Sequence, residues 1–536
     1  MKTKIVLLFV FLIGFFTRFY KLGQLPNSYT PDEISQGYTA YSLLTTGKDE
    51  WGQSWPLTLK SFGDYKPPLQ TYLMIPAIKF FGLNTFSIRL PNALTSSLAI
   101  ISTYLLAKIL FKNTSISLIS AFLLAISPWH LPMSRIALEA NLHSFFIPLA
   151  IYFFLKNKPI SLIVSSLLFG ISTFSYHSVK LFVPMVVFLL FILNKKLITL
   201  KKYRSFLFIL ISFLLINFAT SLSSNTRIED ISILSPTDKW QSLNDSRYEL
   251  TLTKSPEIVS KLFKNKYLLT LQTFFSNYLS YFSPQFLVNQ GPAESTYGMI
   301  SNYGTIGIIP FLFLVLLFFN FPKHLSIPVK FLSLLILFAP IPAALAKSNL
   351  SANRASVFIP YIQILTAYSI FFFYKKIPKF IFSIIAIIFS FNTLSFLFTY
   401  FKLGNTILAK DMLYGHKQAN EYIKNYPNHN IIYSRKLSEP QAYVAFFQPI
   451  DPVKTQKASQ NWQVFSQQNL PFLDQLGQYQ LDRFTFKNIN FNSDAQIPNT
   501  ILIGRPEEFI GNKPDYIIYY PPQFLQKEAI YIYINK

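Results

Sequence analysis

The stretch FIFSIIAIIFSFNTLSFLFTYF, residues 380–401, contains no charged residue and is long enough to cross a bilayer. A membrane-spanning helix needs roughly 20 predominantly apolar residues. The loop immediately before this stretch carries Lys375, Lys376 and Lys379 but no Asp or Glu. An apolar run that follows a basic, acid-free loop indicates a membrane helix that starts on the cytoplasmic side.

Ten further apolar runs precede this one, and the loops between them alternate in charge. Every second loop carries Lys or Arg without acids, and the 24 acids fall in the other loops, at the outer start of the span 137–155 (Glu139) or in the C-terminal tail. The runs lack the alternation of barrel strands, so the pattern predicts about 11 helices, with the N-terminus cytoplasmic and the C-terminus outside the cell membrane. The predicted spans are 5–19, 90–111, 115–131, 137–155, 160–176, 179–193, 206–222, 303–321, 331–346, 356–374 and 380–401.

The composition supports a membrane protein and excludes several other classes. Charged residues make up 13% of the chain, against about 25% in soluble proteins. The net charge of +24 comes largely from short loops, and no nucleic-acid-binding motif is present, so we expect no nucleic-acid partner. The absence of cysteine excludes disulfides and thiolate chemistry. Lys2 and Lys4 precede the first run without a small-residue cleavage site after it, which predicts an uncleaved first span.

Two long outer loops and the C-terminal tail complete the predicted architecture. The loops, about 20–89 and 223–302, contain aromatic and apolar stretches such as 262–288 that are typical of helices lying at the membrane interface. After Phe401 the apolar runs become short and amide residues more frequent. We therefore predict a transmembrane domain over 1–401 and a small extracytoplasmic α/β domain over 402–536. Its predicted elements are a helix over 411–426 and strands over 430–434, 500–503, 516–520 and 529–534.

An acidic pair and a lysine in the first outer loop are the leading candidates for chemistry. Asp32 and Glu33 follow Pro31, and a carboxylate near an acceptor hydroxyl can act as a general base. The same residues would also serve as the first turn of a capped helix. Lys66 is followed by two prolines, which stiffen the chain and would hold the ammonium group in place for a phosphate. The alternative is a lysine whose charge extends to the lipid headgroups.

Further ionisable residues lie at later outer turns. Arg135 and Glu139 are four residues apart, so on a helix they would share a face and form an ion pair. Glu139 is nevertheless the one acid between Asp64 and Glu229, at the predicted start of a span, where ionisable groups are often functional. The later outer turns contain His177, Lys180 and Arg354. These side chains would either form a cationic lining for a phosphate group or simply anchor the protein at the membrane interface.

The motifs of the first loop carry a family resemblance. Pro31-Asp32-Glu33, Gly37-Tyr38, Asp64-Tyr65-Lys66-Pro67-Pro68-Leu69 and Arg89-Leu90-Pro91 together resemble the beginning of polyprenyl-phosphate-sugar glycosyltransferases of the GT-C superfamily. The most similar groups are the bacterial protein-mannosyltransferase-like enzymes and the aminoarabinose transferases of lipid A. The resemblance covers about residues 5–400 and does not extend to the tail.

The resemblance implies an inverting transfer of a sugar from a polyprenyl phosphate. Asp32, with Glu33, would supply the catalytic base, and Glu139 would be the second acid, although related enzymes often have Asp at that position. Lys66 and Arg135 would hold the donor phosphate. The family varies in metal dependence, so a divalent cation is left open. The remaining substrate-binding residues that the motifs imply are Asp64, Tyr65, His177, Lys180 and Arg354.

The sequence therefore predicts a multi-pass cell-envelope glycosyltransferase that acts on an acceptor hydroxyl of a protein, glycolipid or wall polymer. A hydrolase or phosphotransferase that acts on the same lipid is an enzymatic alternative. A transporter or flippase of lipid-linked sugars and an inactive GT-C-like scaffold are the candidates that are not enzymes. Transporters usually place charged groups in the middle of the spans and have paired halves, whereas this chain has its acids at helix ends and in loops and shows no half-repeat.

Overall fold

The computed structural model describes residues 2–61, 65–193, 200–222, 232–233, 239–253, 256–291, 297–320, 326–347, 350–464, 473 and 476–535. Helices dominate up to about residue 400, and a mixed β-sheet follows them. This architecture confirms the predicted fold class in outline, a helical protein with many apolar helices and a small C-terminal α/β domain.

Each of the predicted apolar runs contains a helix. In chain order the helices of this part are α1 (Lys2–Phe19), α2 (Pro31–Thr46), α3 (Leu69–Phe81), α4 (Thr85–Phe111), α5 (Thr114–Ala125), α6 (His130–Met133), α7 (His143–Lys156), α8 (Pro159–Ser172), α9 (His177–Leu193), α10 (Leu200–Leu222), α11 (Lys239–Leu252), α12 (Glu257–Phe263), α13 (Lys266–Ser280), α14 (Ile308–Phe319), α15 (Ile327–Phe338), α16 (Ile341–Ala344), α17 (Ile359–Tyr374) and α18 (Lys379–Phe398). Among the described residues, five helical segments are long and apolar enough to cross a membrane. The exact number of spans stays a prediction.

Two predicted spans begin later than expected. The run 137–155 was expected to be helical throughout, but α7 begins at His143, and Glu139–Asn141 form a short 3-10 turn before it. Arg135 and Glu139 therefore do not share a helix face, because tertiary hydrogen bonds draw their side chains to different parts of the protein. The run 303–321 becomes helical at Ile308, after Gly307 adopts a left-handed conformation with φ of 83°.

The first outer loop folds around α2 and α3. Thr30 caps α2, since its hydroxyl accepts a hydrogen bond from the Glu33 amide, and Pro31 occupies the first helical position. Gly47, with a positive φ of 70°, ends the helix. The chain then forms a small antiparallel pair, β1 (Leu59–Lys60) with β2 (Tyr65–Lys66), before α3. The interior of the protein encloses α2 from Glu33 to Leu43 almost completely, so this helix does not lie on the lipid surface.

The C-terminal residues form a six-stranded sheet of order β4-β5-β3-β6-β8-β7. β3 is parallel to β5 and β6, whereas β4, β7 and β8 pair in antiparallel fashion. The strands are β3 (Asn430–Ser434), β4 (Gln478–Leu481), β5 (Phe484–Lys487), β6 (Thr500–Gly504), β7 (Tyr516–Tyr519) and β8 (Glu528–Asn535). The accompanying helices are α19 (Gly404–Ile407), α20 (His416–Tyr422), α21 (Pro440–Phe447), α22 (Pro452–Val464) and α23 (Phe491–Asp494).

All four strands predicted for this domain are present, whereas β4 and β5 were not predicted. In both strands every second side chain is buried, an alternation over four residues that the sequence analysis did not use. The helix predicted over 411–426 begins only at His416, because Gly415 takes a positive φ of 112° and residues 411–415 form turns.

Apolar packing divides the molecule into a helical core and a second core that joins the first loop to the sheet. The helical core includes the buried side chains of Trp129, Ile147 and Phe182. The second core contains Ile34 and Tyr38 of α2 and Met74 of α3. From the C-terminal domain it takes in Tyr433, Tyr443, Phe446 and Ile501. The C-terminal domain is therefore packed directly against the helices that carry the candidate site.

Candidate active site

An ion pair between α2 and the end of β2 forms the centre of the site. Lys66 Nζ lies 3.0 Å from Asp32 Oδ1. The Asp32 side chain is 27% exposed and that of Lys66 is 12% exposed, so the pair is mostly buried but remains accessible to solvent. Asp32 is placed by the first turn of α2, and Lys66 by β2 and the two prolines that lead into α3.

Two opposing effects act on the Lys66 ammonium group. Desolvation disfavours its charge, but Asp32 and Glu139 stabilise it, and the net result raises the pKa of Lys66 above its ordinary range. Lys66 is therefore a permanent cation at the site. A fixed cation of this kind stabilises the charge of a phosphate group.

Glu139 provides a second carboxyl group close to this pair. Its side chain is only 4% exposed, and the amide of Gln36 donates a 2.8 Å hydrogen bond to its Oε2. Burial raises the pKa of Glu139, and Asp32 adds to the increase, while Lys66 opposes it. Gln36 belongs to α2, one turn beyond Asp32, so the two residues present their side chains to the same side of that helix.

Two tyrosines and one arginine extend the site beyond the ion pair. Desolvation raises the pKa of the Tyr176 phenol, and Tyr297 and Glu139 raise it further, whereas Arg354 and Lys66 act in the opposite direction. Tyr176 is therefore close enough to Tyr297, Arg354, Glu139 and Lys66 for their charges to act on its hydroxyl. Arg354 was predicted from the sequence as a site residue, whereas the two tyrosines were not.

Glu33 lies beside Asp32 in sequence but has a different environment. Its carboxylate is fully buried and receives two hydrogen bonds from Arg89, of 2.6 and 3.1 Å, with a third from the Ala137 amide at 3.1 Å. Arg89 also donates to the backbone oxygens of Leu22, Pro26 and Ser28. The pair joins α2 to α4 and to the chain that follows α1, so Glu33 does not face the solvent-accessible site.

Arg135 is also directed away from the ion pair. Its guanidinium group is buried and donates hydrogen bonds to the carbonyl oxygens of Thr17, Arg18, Tyr20 and Leu25, at 2.6 to 3.0 Å. The bonds to Thr17 and Arg18 satisfy carbonyl groups at the C-terminal end of α1, and those to Tyr20 and Leu25 satisfy carbonyl groups of the segment that follows it. The geometry gives Arg135 a bracing function at α1 instead of the phosphate contact that the sequence predicted.

The remaining predicted residues lie around the first turn of α9. His177 Nε2 is 3.0 Å from the Tyr65 carbonyl oxygen, which links α9 to β2 immediately beside Lys66. Lys180 Nζ donates a 3.2 Å hydrogen bond to the Ser221 hydroxyl. Asp64, which the sequence also predicted as a site residue, lies outside the described residues.

Sequence reasoning also missed Gln36, and it quoted Arg89 without giving it a role. A polar residue one turn after Asp32 on the same helix was the available signal for Gln36.

In the described part of the chain, no three His, Asp or Glu side chains come together in a way that could hold a metal ion. The arrangement consists of a partly exposed carboxylate, a fixed cation and a buried acid, with aromatic hydroxyls beside them.

Comparisons with known proteins agree with this architecture. Residues 8–225, less than half of the chain, match the family model of dolichyl-phosphate-mannose-protein mannosyltransferase. A comparison with curated protein sequences found no match. The matched family segment includes Asp32, Lys66 and Glu139.

Solved structures share the fold at low sequence identity. ArnT from Cupriavidus metallidurans, bound to undecaprenyl phosphate, is similar with a TM-score of 0.56 and 9% identity, over 98% of this chain and 97% of that chain. The oligosaccharyltransferase AglB from Archaeoglobus fulgidus matches with a TM-score of 0.47 and 14% identity, over 83% of this chain. The present chain covers 64% of the AglB chain. The chain therefore shares the fold of ArnT over nearly its whole length, and the family match over residues 8–225 agrees with the resemblance recognised from the sequence.

Proposed function

We propose, from the premise that this chain has the fold of the GT-C polyprenyl-phosphate glycosyltransferases, that it transfers a sugar from a polyprenyl phosphate to an acceptor hydroxyl. The match to a mannosyltransferase family model supports a glycosyltransferase over a transporter or a scaffold. The observation that carries the proposal is the contact of Asp32 with Lys66, next to the buried carboxyl of Glu139.

In the proposed reaction, the acceptor oxygen attacks the anomeric carbon of the sugar while the bond from that carbon to the phosphate oxygen breaks. The acceptor proton passes to the Asp32 carboxylate, and the configuration at the carbon inverts. Lys66 stabilises the charge on the departing polyprenyl phosphate. Before the donor binds, Lys66 is paired with Asp32. A phosphate that draws the ammonium group toward itself would release the carboxylate to accept a proton.

Glu139 and Gln36 hold these groups in place. Glu139 contributes negative potential that keeps Lys66 charged, and its hydrogen bond with Gln36 ties α2 to the turn before α7. Tyr176 and Arg354 would line the adjacent space, where the sugar and phosphate groups are expected. Glu33 and Arg135 act at a distance in this scheme, because Glu33 is paired with Arg89 and the terminal guanidinium nitrogens of Arg135 donate to backbone carbonyl groups between Thr17 and Leu25.

The proposed reaction takes place on the outer face of the cell membrane. The acid-free basic loops support a cytoplasmic N-terminus, and with the predicted odd number of spans this orientation would put residues 20–89 and the C-terminal domain, 402–536, outside. Nucleotide-activated sugars are cytoplasmic, so a donor carried by a lipid phosphate fits a site on this side. The acceptor is a hydroxyl group of a protein, a glycolipid or a wall polymer.

The test is a comparison of the purified wild-type protein with Asp32→Asn in lipid nanodiscs that contain a polyprenyl-phosphate sugar. We expect the substitution to lower transfer by at least about 10²-fold, because it removes the proton acceptor and leaves the fold intact. Asp482→Asn is the matched control, since Asp482 pairs with Lys454 on the surface of the C-terminal domain. Full transfer by Asp32→Asn would refute the proposed base.

Product analysis distinguishes a glycosyltransferase from a hydrolase and from a phosphotransferase. A glycosyltransferase yields a new glycosidic bond together with free polyprenyl phosphate, as detected by mass spectrometry of cell-envelope glycans and lipids. A hydrolase would instead yield free sugar, and a phosphotransferase would move the phosphate with the sugar. Either product pattern from the wild-type protein would refute the proposed transfer.

A further inference from the structure

The helix that carries Asp32 presents a separate face to the C-terminal domain. At 3.6 residues per turn, Asp32 and Gln36 lie on one side of α2, whereas Tyr38 and Ser42 lie roughly 120° around the helix axis. The first pair faces Lys66 and Glu139. The second pair faces helix α22, so one rigid element connects the candidate site with the C-terminal domain.

Tyr38 makes the most direct polar contact across this boundary. Its hydroxyl is buried, donates a 2.9 Å hydrogen bond to the Ile450 carbonyl oxygen, and lies 2.7 Å from the Thr455 hydroxyl. Because the single phenolic proton is used by Ile450, Thr455 donates to Tyr38 in the second bond. One bond joins α2 to the residue two positions before α22, and the other joins it to the first turn of α22.

Further contacts fix the two ends of α2 against the same domain. At its C-terminal end, the amide of Gln456 donates to the hydroxyls of Ser42 and Thr46, at 3.2 and 2.9 Å. At its N-terminal end, the Tyr443 hydroxyl donates a 2.7 Å hydrogen bond to the Tyr29 carbonyl oxygen, next to the Thr30 cap.

The packing between these ends is close. A methyl group added at Gly37 would come within 3.0 Å of the Phe446 ring of α21 and within 2.8 Å of Ile88 of α4. Helix α2 is therefore enclosed at Gly37 between helix α4 and the C-terminal domain.

We propose that the C-terminal domain is a positioning element of the active site, and that Tyr38, held by Ile450 and Thr455, fixes α2 so that Asp32 meets Lys66 and the acceptor in the reactive geometry. This inference rests on the proposed function of Asp32. It assigns to the C-terminal domain a function in the chemical step, carried by a residue that does not itself touch the substrate.

The first test compares Tyr38→Phe and Thr455→Val with the conservative variant Thr455→Ser, in the full-length protein with a polyprenyl-phosphate sugar. A displacement of about 1 Å in a catalytic group lowers rates by as much as 10²-fold. We expect Tyr38→Phe and Thr455→Val to lower kcat about tenfold with little change in donor KM, and Thr455→Ser to retain the wild-type kcat. Unchanged kcat in Tyr38→Phe, or an equal loss in Thr455→Ser, would overturn the proposal.

Tyr479→Phe is the matched control. Tyr479 is also a buried tyrosine of the C-terminal domain, and its hydroxyl donates a 2.6 Å hydrogen bond to Gln441 within that domain. A loss of kcat in this variant equal to that of Tyr38→Phe would mean that general loosening of the domain causes the effect, and would refute a specific contact with α2.

A second test separates the positioning of Asp32 from other effects of Tyr38. In an Asp32→Asn background, Tyr38→Phe should cause no further decrease in the residual rate, because the group that it positions is already absent. Independent, multiplicative losses would overturn the proposal. If Asp32→Asn alone retains full activity, the proposed base is wrong, and the kcat of Tyr38→Phe then reports separately on whether the domain contact influences turnover.

Discussion

Lys66 Nζ and Asp32 Oδ1 lie 3.0 Å apart, although 33 residues separate them in the chain. The intervening loop returns to the start of α2 through the β1–β2 pair, and the two prolines after Lys66 then begin α3. Asp32 lies in the first turn of α2, and Lys66 lies just before the start of α3. The loop between the two helices brings the Lys66 ammonium group to the Asp32 carboxylate.

The cation of this pair is expected to matter for donor binding and for the chemical step. Lys66→Gln should lower kcat/KM for the polyprenyl-phosphate donor by about 10²- to 10³-fold, the usual loss when one group that stabilises a developing negative charge is removed. Lys79→Gln is the control, because Lys79 is exposed near the end of α3. Steady-state kinetics with varied donor would check the result, and a wild-type kcat/KM in Lys66→Gln would exclude a phosphate contact.

The buried pair of Glu33 and Arg89 should contribute mainly to folding. Arg89→Met leaves the Glu33 carboxylate buried without its partner, so we expect a loss of about 3–5 kcal/mol in the free energy of unfolding. Glu33→Leu combined with Arg89→Met removes both charges and should recover much of that loss. Thermal unfolding in detergent would measure the stability of both variants relative to the wild-type protein. Equal instability of the single and double variants would contradict an ion pair as the cause.

Gly37 is predicted to be intolerant of any side chain. Gly37→Ala would place a methyl group within 2.8 Å of Ile88 and 3.0 Å of Phe446, and overpacking of this kind typically costs about 1–3 kcal/mol. Gly404→Ala is the matched control, since a methyl group there meets no atom within 4 Å. The difference in thermal unfolding temperature between the two variants is the measurement, and similar values would contradict the close packing around α2.

Glu50 should make stability depend on pH. Its side chain is 9% exposed and accepts a hydrogen bond from Thr39. Burial raises the pKa of Glu50 from its ordinary value of 4.5 to about 8, and the hydrogen bonds from Thr39 and Ser35 only partly oppose this increase. The folded protein therefore keeps a proton on Glu50 that the unfolded chain releases. The contribution of this carboxyl group to stability is greatest below about pH 4.5 and is lost as the pH rises toward 8.

The variant Glu50→Gln tests this dependence, because an amide cannot ionise. Between pH 5 and 8 we expect the unfolding temperature of the wild-type protein to fall more steeply than that of Glu50→Gln. Glu421→Gln is the control, since Glu421 is exposed on α20 beside Lys417. Identical pH profiles for the wild-type protein and Glu50→Gln would show that the Glu50 carboxyl is not held in its neutral form.

Hydrophobicity alone predicted most of the helices, because an apolar run of membrane length leaves the backbone few alternatives. Asp32, Lys66 and Glu139 were also recognised from their sequence context, and the structure brings them together. The partner of a buried charge could not be predicted, since that depends on packing between distant segments. Arg135 illustrates this point, because its four carbonyl acceptors lie more than 100 residues earlier in the chain.

The same limitation applies to the contacts of α2. Its amphipathic character is weak because nearly every side of the helix is covered, so its sequence does not identify an inner face. The residues that cover it, such as Thr455 and Phe446, belong to a tail that resembles no family recognised from its sequence. Only the folded chain reveals that the tail and the first loop share one apolar core.

The beginning of two helices at one ion pair has an electrostatic consequence. Asp32 lies in the first turn of α2, and Lys66 precedes the first residue of α3 by only three positions. The N-termini of both helices therefore lie within a few residues of the pair, and the partial positive charge that the backbone carries at each of them does not depend on the protonation of any side chain. The main chain thus adds positive potential near the Lys66 ammonium group, and a substitution of Lys66 would leave that contribution in place.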